Sequence, residues 1–102
     1  MLRALVLVAL LSSTAYAERP MCGRNVKYHG ARIDLDVKDA DIHDVMRLLA
    51  DVGHVNIVVA DSVRGNVTLR LKRVPWDQVA CTIAAVHKLT MSVDGNVVMV
   101  TK

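Results

Sequence analysis

The chain has no phenylalanine, one tryptophan and two tyrosines. Its core must therefore be aliphatic, with Trp76 as the single large filler and a natural lid over one end. Two prolines and five glycines are too few for a collagen-like or low-complexity chain. Beyond residue 17 no apolar run reaches the roughly 18–20 residues of a membrane-spanning helix. Neither sign of charge dominates, with 13 Lys and Arg against 10 Asp and Glu. An excess so small and so interspersed offers no basic stripe for nucleic acid.

Chemical motifs are equally scarce. No Gly-x-Ser-x-Gly elbow is present, and Ser62 and Ser92 fall in a predicted turn and a predicted strand. Cys81 and His87 lie on different faces of one predicted helix, and no glycine-rich loop could cradle a phosphate. The histidines at 29, 43, 54 and 87 never form His-x-x-x-His, so a zinc site would need separate elements. Asp34, Asp36, Asp39, Asp41 and Asp44 lack the glycine and terminal glutamate of an EF-hand loop. The expectation is a protein without catalytic residues, metal, cofactor or small-molecule substrate.

What is there begins with an export signal. Arg3 precedes the apolar run 4–11, and Ala15-Tyr16-Ala17 supplies a small-x-small cleavage site before Glu18. That order reads as a cleaved signal peptide over residues 1–17. Residues 18–27 carry Pro20 and Gly23 without periodicity and read as an extended leader. The rest, 28–102, has the length of one small domain. Ile33, Leu35 and Val37 alternate with charged residues, marking a half-buried strand. Asp39 and Asp41 are N-cap candidates for a helix carrying Ile42, Val45, Met46, Leu49 and Val52, with Gly53 as its stop. The run 55–60, broken only by Asn56, suits a central strand covered on both faces. After turn residues at 61–65, Val67, Leu69 and Leu71 define a further strand. Pro75 fits the first position of a second helix, whose buried stripe is Val79, Ala80, Ile83 and Ala84. Asp94-Gly95 marks a hairpin between two final strands. The predicted architecture is a small α+β domain, β-α-β-β-α-β-β, with antiparallel hairpins packed on two helices.

Several stretches in this order resemble a known family. They are Tyr28-His29-Gly30, then Ile33-Asp34-Leu35-Asp36-Val37-Lys38-Asp39-Ala40-Asp41-Ile42, then Asn56-Ile57-Val58-Val59 and Gly65-Asn66-Val67-Thr68-Leu69. Leu71-Lys72-Arg73-Val74-Pro75-Trp76-Asp77-Gln78 and Asp94-Gly95-Asn96-Val97 complete the set. Together they resemble the secretin and TonB short N-terminal (STN) domain, in the version found in type IV pilus secretins, over residues 28–102. Cys81 and Ala84 depart from that pattern, standing where an acidic and a larger apolar residue are expected. The chain also stops after its last strand, without the family's further repeats or pore region, so it is not expected to form a channel itself.

The resemblance implies a non-enzymatic periplasmic docking module that works with a secretin-type outer-membrane machine, of the type IV pilus or type II-like kind. Its partner would be a protein component at the inner or outer membrane. The alternative it leaves is a signalling module of the TonB-dependent receptor kind, contacting an anti-sigma regulator. It also points to the outward residues of the first and third strands, Arg32, Asp34, Asp36, Arg70 and Lys72, as the partner-binding surface. Strand addition at the hairpin edge Val97 to Thr101 is the second candidate. Two cysteines in an exported chain favour a Cys22–Cys81 disulfide, but Cys22 lies in the leader. A bridge, two free thiols and an intermolecular pair all remain open.

Overall fold

The computed structural model describes residues 19–102; the predicted signal peptide and its cleavage point lie outside them. Eight elements follow in order: β1 (Arg19–Pro20), β2 (Arg32–Asp41), α1 (Ile42–Gly53), β3 (Asn56–Val59), β4 (Asn66–Pro75), α2 (Trp76–His87), β5 (Thr90–Asp94) and β6 (Val97–Thr101). The α+β order anticipated from periodicity is present, preceded by the two-residue β1. The strands form a four-stranded sheet, β1-β5-β6-β3, and a two-stranded ribbon, β2-β4.

Amphipathicity places the helices. Ile42, Val45, Met46 and Leu49 put one face of α1 fully inside, and Val79, Ala80, Ile83 and Ala84 do so for α2. The helices pack on each other, α1 against β2, β3 and β4, and α2 against β4 and β5. No polar or charged residue among those described is buried, so burial of aliphatic surface is the main cohesive term.

The helix ends refine the sequence reading. Asp41 caps α1, accepting the His43 N–H at 2.8 Å, whereas Asp39 sits earlier, inside β2. Pro75 occupies the N-cap of α2 rather than its first turn; without a side-chain cap, the Trp76 N–H donates to the Ala31 carbonyl at 3.0 Å. The Asp77 carboxylate, in the first turn of α2, accepts the N–H groups of His29 at 3.2 Å and Gly30 at 3.3 Å. It thereby fastens the entry to β2 onto the second helix.

Gly53 is not the left-handed stop of α1. That conformation falls on His54, with φ 53°, and Gly53 is the last helical residue. Its reason is steric: a Cβ there would collide with the Trp76 indole, as would one on Gly30. Two glycines thus let the backbone close on the ring that lids the core. Gly95 answers a different need, supplying φ +63° in the Gly95-Asn96 turn that joins β5 and β6.

Two strand expectations are corrected by topology. β3 is not central; it pairs only with β6, in parallel, and forms one edge of its sheet. Conversely, β6 is no open hairpin edge, because β5 and β3 flank it on both sides. A continuous apolar run announces a strand but does not say how many neighbours it has.

The leader is sewn to the domain. Arg19 and Pro20 pair with Val93 and Ser92 of β5, and the Met21 N–H donates to the Met91 carbonyl at 3.1 Å. Immediately after, a disulfide joins Cys22 to Cys81 of α2, with Cα atoms 5.6 Å apart.

Candidate interaction surface

The residues singled out from the sequence share one face. β2 and β4 run antiparallel, and Ile33, Leu35 and Val37 with Val67, Leu69 and Leu71 turn toward the core. Pleating therefore turns Arg32, Asp34, Asp36, Arg70 and Lys72 to solvent, and all five are exposed.

Their engagement differs. Asp36 and Arg70 are direct cross-strand partners, with Nε and Oδ2 3.9 Å apart and side chains 75% and 71% exposed. A pair that open contributes under about 1 kcal/mol and is free to exchange for an external partner. Asp34 Oδ1 instead accepts the Arg73 N–H at 2.8 Å, and Arg32 Nη1 donates to the Arg73 carbonyl at 2.9 Å. The Lys72 side chain makes no hydrogen bond or ion pair with the described residues.

Those contacts serve a feature that alternation alone did not announce. Between the pairs Ile33–Val74 and Leu35–Leu71, Asp34 faces two residues, Lys72 and Arg73. Between Val37–Leu69 and Ala40–Val67, Thr68 faces Lys38 and Asp39. Each strand thus carries one bulge, and each bulge holds a residue at positive φ, Arg73 at 57° and Asp39 at 53°. The opposite strand fastens both: Asp34 holds Arg73, and Thr68 Oγ1 accepts the Asp39 N–H at 2.9 Å. Bulges increase local twist, so the ribbon presents its charges on a coiled rather than flat face. A signal did exist in the sequence. Ala40 and Val74 are one step out of phase with the apolar positions before them, the mark of an inserted residue.

Chemically, this face offers fixed charges of both signs and strand edges. Cys81, the one cysteine on a helix, is held in the disulfide, and Ser62 lies in the turn between β3 and β4 while Ser92 lies in β5. Among the described residues, no three His, Cys, Asp or Glu side chains converge as metal ligands.

No protein-family profile matches the chain. Individual relatives do. The fimbrial assembly protein PilQ of Pseudomonas aeruginosa is 40% identical over 76 residues, covering 74% of this chain and 11% of the relative. The chain therefore spans about a tenth of that protein's length. A cryo-electron microscopy structure of the type IV competence pilus secretin PilQ of V. cholerae is 45% identical, with a TM-score of 0.59, over 66% of this chain and 16% of that one. The N0 domain of the type II secretin from enterotoxigenic Escherichia coli superposes with a TM-score of 0.63 over 71% of this chain and 95% of its own, at 17% identity, and so speaks for fold alone. Sequence identity to pilus secretins, joined to the fold of a secretin N0 domain, places this chain in the family of secretin N-terminal domains.

Proposed function

We propose that the protein is a non-enzymatic, periplasmic docking module of a secretin-type outer-membrane machine, and that the outer face of the β2–β4 ribbon receives a protein partner there. The observation that carries this reading is that face itself. Arg32, Asp34, Asp36, Arg70 and Lys72 stand exposed on a ribbon whose curvature two side-chain-fastened bulges hold. A rigid, twisted face with charges of both signs sets register and encounter rate for a complementary partner. Homology to pilus secretins supports the assignment to such a machine, and the signal peptide expected from the sequence supports the compartment. The pilus-secretin relatives favour this reading over the signalling alternative.

The test reverses charge at Arg70 and Lys72 together and measures crosslinked capture of secretin-machine components from the periplasm. Capture should fall, and it should fall further with salt in the wild type, since exposed charges are screened within about 10 Å. The melting point should stay unchanged. A folded double variant that captures the same component at wild-type yield removes this face from consideration.

A further inference from the structure

Among the described residues, four strand edges lack a ladder neighbour, one each on β1, β2, β3 and β4. Proteins normally keep such edges from recruiting foreign strands by brevity, proline, exposed lysine or bulges. Three of the four are protected in this way. β1 is two residues long and ends on Pro20, which has no N–H. β2 carries exposed Lys38 beside the bulge at Asp39, and β4 carries exposed Lys72 beside the bulge at Arg73.

β3 has no such device beyond its four-residue length. Asn56-Ile57-Val58-Val59 contains no charge, proline or glycine, runs in unbroken register with β6, and leaves Val58 56% exposed. The Asn56 N–H donates to the Asn96 carbonyl at 3.2 Å and the Ala60 N–H to the Val100 carbonyl at 2.9 Å, both on the β6 side. Alternation along the strand therefore turns the backbone groups of Ile57 and Val59 to the open side. Beside them lies a cleft of about 190 Å³ against α1, lined by His43, Met46, Arg47, Ala50, Ile57 and Val59. Its apolar lining is Ala50, Ile57 and Val59 over the buried Met46. His43 is committed to the Val63 carbonyl at 2.7 Å. Arg47 is the one fixed charge in the lining, and its side chain is 76% exposed with only a 3.8 Å contact to Asp44.

We propose that the open edge of β3 accepts an extended segment of a partner protein as a fifth strand, with an apolar side chain in the cleft and a carboxylate on Arg47. Strand addition supplies affinity through the backbone, and the cleft beside it supplies selectivity. Arg47 fixes the sign of the charge the segment must bring. A second copy of this chain fits the edge less well, since four paired residues fall far short of the ~800 Å² per partner of a stable interface. A segment whose parent protein is held nearby by other contacts needs no such area, because tethering raises its effective concentration. The inference does not depend on the β2–β4 face being a docking site.

The probe is a short blocked peptide of alternating threonine and valine with one central aspartate, titrated into the oxidised protein under heteronuclear NMR. Saturable shifts are expected at residues 56–60 and on the cleft side of α1, 43–50. Amide exchange should slow at Ile57 and Val59, while Val58, already turned toward β6, stays unchanged. Arg47→Glu should weaken binding by about fivefold or more, the equivalent of roughly 1 kcal/mol, and a peptide with lysine for aspartate should bind the wild type equally poorly. Val59→Pro removes a donor on the open side without costing a bond to β6 and should abolish the shifts; if it does not fold, Arg47→Glu decides. Shifts confined to the β2–β4 face, or none at millimolar peptide, overturn the proposal while leaving the ribbon's own test untouched. Concentration-dependent shifts at β3 without peptide would assign the edge to a second copy instead and equally overturn it.

Discussion

Breaking the Cys22–Cys81 link tests whether the leader belongs to the folded unit. The bridge closes a loop with a sequence separation of 59. In the chain-entropy model that restriction of the unfolded chain is worth about 4 kcal/mol. The full amount is lost only if the leader stays docked once the bridge is gone. Besides the bridge, it is held by two β1–β5 residue pairs, the Met21–Met91 hydrogen bond and the packing of Met21 against the core. If it detaches, the native state regains the freedom of residues 23–28, because the next anchors are His29 and Gly30 on Asp77. Closing so short a tether costs about 2 kcal/mol by the same relation, which offsets half of the loss. The expected destabilisation is therefore about 2 to 4 kcal/mol, a large part of the 5–15 kcal/mol typical of a domain. Denaturant melts of the oxidised protein, the reduced protein and the Cys22→Ser/Cys81→Ser double variant measure it. Reduction leaves Cys81 in place, which separates the bridge from the effect of a hydroxyl at this nearly buried site. Exchange at the Met21 amide reports whether the leader remains docked. A loss below about 1 kcal/mol with that amide still protected would refute the loop-closure reasoning. Two free thiols in the oxidised protein would refute the bridge itself.

Two further substitutions probe the packing. Ile83→Ala should cost about 2–5 kcal/mol, because this α2 side chain is 1% exposed in the core, whereas Arg70→Ala on the open ribbon should change stability by under about 0.5 kcal/mol. Equal effects in parallel melts would show that the inward and outward faces are misassigned. Gly53→Ala pits helix propensity against sterics: the propensity gain is at most about 1 kcal/mol, while forcing a methyl into the Trp76 ring should cost about 1–3 kcal/mol. A net loss with altered fluorescence of the lone tryptophan is expected, and a net gain would place the indole elsewhere.

The amphipathic elements were legible because periodicity reports burial directly. The 3.6-residue stripe of α1 and the alternation at Ile33, Leu35 and Val37 left little freedom in which side faces the core. The five residues expected on the outer ribbon face follow from the same alternation and are exposed in the structure. What escaped depends on neighbours distant in sequence. The run 55–60 is equally apolar whether β3 has two partners or one, and only the parallel pairing with β6 distinguishes them. Gly53 looks like a terminator because glycine usually is one, yet its neighbour here is an indole many residues away. The two-residue β1 has no period to detect, so pairing of the leader with β5 had no local signature. The bulges lay between these cases, visible as phase breaks at Ala40 and Val74 only when the strand was followed beyond its regular part.

The two proposed surfaces ask different things of one rigid body. The β2–β4 face is charged on both strands, bulged and fastened, properties that orient a partner while discouraging further strand pairing along the ribbon. The β3 edge is nearly uncharged and unbulged, and it is open to a backbone partner. They belong to different sheets, yet α1 packs on β2, β3 and β4 and so joins both to one core. Engagement at one site can leave the other accessible, and a module binding two segments at once gains avidity beyond either contact alone. Such a gain requires a fixed distance between the sites. Here the apolar core and the single α1 spanning both sheets supply it, while the disulfide fastens the leader along β5, at the opposite edge of the sheet from β3. The order of strands thus keeps the leader away from the bare β3 edge, the arrangement that the proposed strand addition requires.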